Sequence, residues 1–194
     1  MDKAADIPLI GKASVRSVHP KKFAMWLFII SVVMIFASLT SAYVVKKAEG
    51  DWLIFDFPKL FNVTSVVIVI SSITMQMAYY FAKKNNLIGI RVNLAITGLL
   101  AIAFVIGQVL SWEELVAQDV YWVGNAAGSF IYIFTGLHGL HLIGGLIFLA
   151  IVLVNAFKYK VHSKSMVQIE MCTTYWHFLG GLWLYLYLFL ILNN

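Results

Sequence analysis

Long apolar runs alternate with short polar segments along the chain. Five of the runs reach the roughly 20 residues that an α-helix needs to cross the hydrocarbon core of a bilayer. They cover residues 23–45, 60–82, 90–111, 127–157 and 166–192. Their odd number, and the lack of ten-residue segments that alternate polar and apolar positions, argue against barrel strands. The pattern predicts an all-α fold, a polytopic bundle of five membrane-spanning helices.

The composition agrees with a membrane protein. Hydrophobic residues make up 61% of the 194 residues and charged residues 12%, and the mean hydropathy is +0.87. A soluble domain has about 45–50% apolar and 25% charged residues. The formal net charge of +5 would suggest nucleic acid in a soluble protein. Here the charges lie between the apolar runs, so we interpret them as topology determinants and expect no nucleic-acid binding.

The chain divides into a short polar tail and one membrane domain. Residues 1–22 lack the apolar core of a cleavable signal, so the first apolar run is expected to remain as the first span. Residues 23–194 are predicted to form a single transmembrane domain, because every connection between runs is short. The lone cysteine, Cys172, excludes an internal disulfide and a cysteine-based metal cluster. We expect it to be a small core residue.

Basic residues are distributed unequally between the two sides of the predicted bundle. One side holds three of them, Lys46, Lys47 and Lys59. The tail and the second and fourth loops hold the other eleven: Lys3, Lys12, Arg16, Lys21, Lys22, Lys83, Lys84, Arg91, Lys158, Lys160 and Lys164. Because Lys and Arg accumulate in cytoplasmic segments, this asymmetry predicts a cytoplasmic N-terminus and an external C-terminus.

Polar residues inside the predicted spans are the candidates for function, because they are costly to place in hydrocarbon. His138 and His141 have the i,i+3 spacing that puts two imidazoles near one helix face. Glu170 and His177 are seven residues apart and return to one face after two turns. Two further groups lie on the second and third spans: Ser71, Ser72, Thr74 and Gln76, and then Asn93, Thr97, Gln108 and Ser111.

Several roles are open to the histidines. Haem ligation needs an imidazole from each of two facing helices, and His138 with His177 would be one such pair. Carboxylate and imidazole together also suit transition metals, which makes His138, His141 and Glu170 a second candidate set. The simplest interpretation is that these groups form hydrogen bonds between helices and fix the helix register.

Proton relay and transport are further alternatives with less support. Intramembrane carboxylates mark proton paths in pumps, but no Asp or Glu lies in the middle of a predicted span, and Glu170 is near a span end. Transporters also use broken helices, whereas Pro8, Pro20 and Pro58 all precede or separate spans. A free-standing haem b cytochrome and a small transporter therefore remain distant alternatives.

A specific set of motifs occupies the last two spans. These are Gly128-Ser129, Thr135-Gly136-Leu137-His138-Gly139-Leu140-His141, Glu170, Tyr175-Trp176-His177-Phe178 and Trp183. In order and spacing they closely resemble the last two helices of cytochrome c oxidase subunit III. Weaker similarity extends upstream to about Lys22, and the length resembles the short, five-helix bacterial form of that family.

The sequence departs from the family pattern at two positions. The family commonly has a Glu where this chain has Val32, and an Asp where it has Gly180. Both changes remove a carboxylate from the membrane, so roles that depend on those acids are not carried over.

The resemblance implies a multi-pass subunit of a bacterial inner-membrane oxidase that reduces oxygen to water and pumps protons. Such a subunit carries no catalytic, cofactor-binding or metal-binding residue of its own. Subunit I carries haems and the copper-containing oxygen site, and subunit II delivers electrons. The third subunit sustains proton uptake and stability of subunit I and holds phospholipids. Respiratory oxidases of this kind can join a quinol-oxidising complex, and quinol oxidases and nitric oxide reductases have related subunits.

Roles for individual side chains follow as expectations. We expect polar contacts between helices from His138, His141, Glu170, His177, Ser71, Thr74 and Gln108. We expect contacts with lipid or a neighbouring subunit from Trp26, Trp176, Trp183, Lys21 and Lys22.

Overall fold

The computed structural model describes residues 19–50, 52–53, 55–159 and 165–193. Within these ranges the regular structure is entirely α-helical. The helices are α1 Pro20–Ala48, α2 Leu60–Lys83, α3 Leu87–Ala117, α4 Ala126–Phe157 and α5 Val167–Asn193. Each is long and apolar enough to cross a membrane, which confirms the predicted all-α class with five spans. Most of the predicted tail (residues 1–18) and the loop residues Lys160, His162 and Lys164 lie outside the described residues.

The helix starts follow from local sequence. Pro20 occupies the first position of α1, where its missing N–H is no loss. The side chain of Asn86 accepts a hydrogen bond from the N–H of Gly89 at 3.0 Å, and Asn125 caps α4 in a similar way. Asn85, with φ of 56°, adopts the left-handed conformation that commonly follows a helix end. These residues make the turn between α2 and α3 short and tight.

Two helices are longer than a bilayer requires. Helix α3 has 31 residues and α4 has 32, which corresponds to about 46–48 Å at 1.5 Å per residue. The hydrocarbon core is about 30 Å thick. The end of α3 lies six residues beyond the predicted end at 111, and Leu115 in this extension is buried. Packing therefore continues beyond the thickness of the hydrocarbon, or the helices tilt.

Four helices form a closed ring, and α1 lies outside it. Helix α2 packs against α3 and α5, and α4 packs against both α3 and α5. The backbone of α1 approaches α4 and α5 and none of the other described helices. Only 22% of the most apolar stretch of α1 is buried, compared with 44% for α5. Of the five helices, α5 is thus the most buried and α1 the least, at the periphery.

Aromatic side chains fill the interior of the four-helix ring, and small residues allow its helices to approach closely. Phe104 meets the indole of Trp183 edge to face at a centroid distance of 5.1 Å, and Phe61 contacts the same indole at 5.7 Å. At Gly107, an added Cβ would lie 2.5 Å from Cγ2 of Thr64. Because that methyl group belongs to a stiff β-branched side chain, the contact between α2 and α3 requires glycine here.

Arg91 connects the start of α3 to the end of α4. Its guanidinium group donates hydrogen bonds to the carbonyl oxygens of Ala156, at 3.3 and 3.4 Å, and Phe157, at 3.4 Å. The guanidinium carbon also lies 4.9 Å from the ring centroid of Phe157 and 5.0 Å from that of Tyr159. One side chain thus supplies donors to helix-terminal carbonyls and contacts two aromatic rings.

Candidate functional site: polar residues at the helix contacts

Two tryptophans on α5 donate hydrogen bonds to serines on α2. Trp176 Nε1 donates to Ser71 Oγ at 2.9 Å, and Trp183 Nε1 donates to Ser65 Oγ at 3.0 Å. Both indoles are only 1% exposed. The expectation that Trp176 and Trp183 contact lipid or another subunit is therefore wrong: each needs a buried acceptor for its N–H, and α2 provides one.

Sequence reasoning missed Ser65. The available signal was the seven-residue spacing of the two tryptophans, which places two indoles on one face of α5. Two such indoles need two acceptors at a matching separation on the neighbouring helix. Ser65 and Ser71 are six residues apart on α2 and meet that requirement.

A second polar seam joins α2 to α3. The hydroxyl groups of Thr74 and Thr97 are 2.8 Å apart. The side-chain amide of Gln108 donates to Thr64 Oγ1 at 3.1 Å. The amide oxygen of Gln108 is buried and has no hydrogen-bond partner among the described residues. This seam thus contains one polar atom that the described part of the chain leaves unsatisfied.

His138 lies at the centre of the helix ring. It is fully buried, and its ring centroid is 5.9 Å from that of Phe104 and 5.3 Å from that of Trp183. Neither ring nitrogen has a partner among the described residues. The imidazole therefore packs against aromatic side chains of α3 and α5. It does not form the expected interhelical hydrogen bond to any described residue.

His141 is directed to a different neighbour. Its ring centroid lies 6.3 Å from that of Phe28 and 5.9 Å from that of Phe36, both on α1. Its Nδ1 is 2.7 Å from the carbonyl oxygen of Leu137 on its own helix, as when a ring N–H donates to that oxygen. The i,i+3 spacing thus does not bring His138 and His141 to the same contact. His138 faces the interior of the four-helix ring, and His141 faces α1.

The haem pair considered above does not meet at one depth. His177 Nε2 lies 2.9 Å from Gln76 Oε1, whereas His138 contacts Trp183, six residues further along α5. Six residues correspond to about 9 Å along a helix axis. Among the described residues, no group of three or more His, Cys, Asp or Glu side chains could hold a metal ion.

Glu170 and His177 share a cavity where α1 and α5 begin. The cavity has a volume of about 380 Å³ and lies between α1, α2 and α5. Glu170 forms an ion pair with Lys22 of α1, and the rim includes Trp26, which is 52% exposed. Glu170 and His177, which are predicted to share one face of α5, thus line the same partly charged cavity.

Comparison with known proteins decides the family. Residues 54–193 match the family model described as "Cytochrome c oxidase subunit III". The chain belongs to this family. A probable cytochrome c oxidase subunit 3 from Nocardia farcinica is 34% identical, with 81% of this chain and 80% of that protein covered. A counterpart from Mycobacterium tuberculosis is 31% identical over the same shares.

A ubiquinol oxidase subunit is also similar. The cytochrome bo(3) ubiquinol oxidase subunit 3 from Buchnera aphidicola is 26% identical, and 90% of this chain and 94% of that protein are covered. Together with the five apolar helices, family membership establishes a multi-pass subunit III of the haem-copper oxidase family, which is part of an oxidase complex with other subunits.

In this subunit III, the residues at the two positions where the family commonly carries an acid are closely packed against neighbouring helices. Val32 is 1% exposed and belongs to an apolar cluster with residues from α1, α3, α4 and α5. An added Cβ at Gly180 would lie 3.0 Å from Ser72 Oγ. An apolar side chain at Val32 thus lets α1 pack closely on the bundle, and the glycine at Gly180 lets α5 pack closely on α2.

Proposed function

We propose that this chain is the third, non-catalytic subunit of a haem-copper terminal oxidase that reduces oxygen to water and pumps protons. In this proposal subunits I and II carry the haems and copper, and this chain carries none. It sustains proton uptake and stability of subunit I and holds phospholipids. The observation that carries the proposal is the use of its membrane-embedded polar groups, such as Ser71, Thr74 and Trp176, in contacts between its own helices.

The proposal includes a location and an orientation. We place the chain in a bacterial inner membrane with a cytoplasmic N-terminus, supported by eleven basic residues on one predicted side and three on the other. At the start of α1, Lys21 and Trp26 are exposed and Lys22 is half-exposed at its ion pair. In this orientation they meet lipid headgroups or a neighbouring subunit at the cytoplasmic face, where each basic residue contributes about 1 kcal/mol to attraction by anionic lipid.

Co-purification tests this function. An affinity tag on this chain, followed by extraction in mild detergent, should recover haem-bearing subunit I and copper-bearing subunit II. The recovered complex should show a haem difference spectrum, whereas the separated chain should be colourless. A Soret band in the separated chain that is lost on replacement of His138 or His177 would contradict the proposal. Solute flux in liposomes containing this chain alone would do the same.

A second candidate is subunit III of a quinol oxidase. It is favoured by the similarity to the ubiquinol oxidase subunit, which extends over 94% of that protein. Oxygen consumption by the purified complex should distinguish the donors: reduced cytochrome c supports turnover in one case and ubiquinol in the other. Consumption of nitric oxide without oxygen reduction would instead indicate an accessory subunit of a nitric oxide reductase. Native electrophoresis of the same preparation tests whether the oxidase associates with a quinol-oxidising complex.

A further inference from the structure

A groove runs between α3 and α4 on the outside of the helix ring, and we call it the α3/α4 groove. Its volume is about 290 Å³. It is lined on α3 by Phe104, Gln108 and Trp112, and on α4 by Gly136, Gly139 and Leu140. At Gly139 an added Cβ would meet no atom within 4 Å. The backbone of α4 is therefore open to close approach from outside.

Gln108 gives this groove an unsatisfied polar group. The residue is 5% exposed, its amide nitrogen donates to Thr64, and its amide oxygen has no partner in the described structure. Thr64 Oγ1 donates to the carbonyl oxygen of Phe61 at 3.2 Å and therefore accepts from the amide nitrogen of Gln108, which leaves the amide oxygen as the atom without a partner among the described residues. The terminal torsion of glutamine is soft, so the amide can turn toward the groove that it lines.

The chemistry of Gln108 selects the kind of occupant. A groove that opens to the hydrocarbon core offers no bulk water to a buried amide oxygen. An acyl chain would fill the apolar part of the groove but has no donor to offer. A transmembrane helix can supply a hydroxyl, amide or indole donor, and small residues such as Gly136 and Gly139 are typical of the close contacts between such helices.

We propose that the α3/α4 groove receives a transmembrane helix of another oxidase subunit, with a hydrogen-bond donor placed beside Gln108. The inference rests on the proposed function, because it takes its partner from the same oxidase complex. It goes further by assigning the docking surface to α3 and α4 and by stating the chemistry of the partner helix: small side chains opposite Gly139 and a donor at the depth of Gln108.

Photo-crosslinking in native membranes tests the surface. A photo-reactive amino acid is introduced at Leu140, which lines the groove and is 64% exposed, and at Leu99 of α3, which is 68% exposed and does not line it. The Leu140 probe should form at least tenfold more adduct with another oxidase subunit than the Leu99 probe. Adducts with lipid alone, or with a second copy of this chain, would overturn the proposal.

Filling the groove provides a second test in the tagged complex. The substitutions Gly139→Leu and Gly144→Leu are matched, because both glycines lie on α4 and an added Cβ at either meets no atom within 4 Å. Gly139→Leu should lower recovery of the other subunits at least tenfold, and Gly144→Leu should leave it unchanged. Gln108→Leu, which removes the acceptor at similar volume, should lower recovery several-fold.

The parent chain separates the two proposals. If the unsubstituted chain recovers the other subunits and Gly139→Leu recovers them equally well, the docking surface is wrong while the proposed function stands. If the unsubstituted chain recovers no oxidase subunit, the proposed function fails and the docking proposal fails with it.

Discussion

Trp176 on α5 and Ser71 on α2 are joined by an indole-to-hydroxyl hydrogen bond of 2.9 Å in the interior of the bundle. Trp183 and Ser65 repeat the arrangement two helical turns away. Both bonds cross the same helix pair, so they fix the rotation and the register of α5 relative to α2. Because both indoles are almost fully buried, their N–H groups are out of reach of lipid and depend on acceptors inside the bundle.

Removing one acceptor should weaken the bundle. We expect Ser71→Ala to lower the free energy of unfolding by about 1 kcal/mol, since the Trp176 N–H then lacks a partner in an apolar interior. Unfolding in mixed detergent micelles, followed by helical circular dichroism, measures the change.

Ser38 provides the control for that measurement. It is exposed, and its hydroxyl donates to the carbonyl of Ile35 on its own helix at 2.8 Å. Ser38→Ala should change the stability by less than about 0.5 kcal/mol. Equal effects of the two substitutions would show that the α2–α5 hydrogen bond contributes no net stability.

Gly107 should tolerate no side chain. We expect Gly107→Ala to lower the free energy of unfolding by about 1–3 kcal/mol, because its Cβ would overlap the methyl group of Thr64 at 2.5 Å. Gly144→Ala, where the added Cβ meets nothing within 4 Å, should be neutral or slightly stabilising. Restoration of stability in the double variant Gly107→Ala with Thr64→Ser would identify that methyl group as the cause.

Much of the fold could be predicted from hydrophobicity alone. A span needs a run of apolar residues of fixed length, so the five helices are evident in the sequence. The arrangement of the helices was not accessible in this way. The position of α1 outside the ring depends on contacts such as those of Phe28 and Phe36 with His141, and apolar length says nothing about which helix faces another.

The polar residues could be identified, but only part of their contacts could be anticipated. Glu170 and His177 share a cavity, as their seven-residue spacing predicts. His138 and His141 face different helices, because a spacing of three leaves about 60° between their directions and a neighbouring helix lies on each side. The sequence does not predict the burial of Trp183 or its bond to Ser65, because a tryptophan in a membrane protein is often interfacial and apolar length does not show which face of α2 meets α5.

His138 should be replaceable by an apolar ring. Both of its nitrogens are buried without a partner in the described structure, so His138→Phe should change the free energy of unfolding by less than about 1 kcal/mol in either direction. Trp183→Ala, at the same contact, should lower it by about 3–5 kcal/mol through loss of a buried aromatic side chain. A strong loss of stability or of oxidase haem in His138→Phe alone would reveal a ligand or water that holds this imidazole.

Arg91 should not be exchangeable for lysine. Arg91→Lys keeps the charge but loses the planar group that reaches two carbonyls and contacts two rings, so we expect a loss of about 1 kcal/mol in unfolding free energy. Lys158→Ala is the control, because it removes an exposed charge at the same end of α4 and should cost less than about 0.5 kcal/mol. If Arg91→Lys costs no more than Lys158→Ala, the planar guanidinium group adds nothing to stability beyond its charge.

The peripheral position of α1 has a consequence for biogenesis. Its contacts are made with α4 and α5, and Tyr43 donates a hydrogen bond to the carbonyl of Asn193 at 2.9 Å, near the end of the last helix. During synthesis the first helix therefore enters the bilayer long before its partners are translated. Until α4 and α5 are translated, α1 lies in the bilayer without the helices that it contacts in the folded chain. If translation stopped before α5, α1 would lack one of these two neighbours.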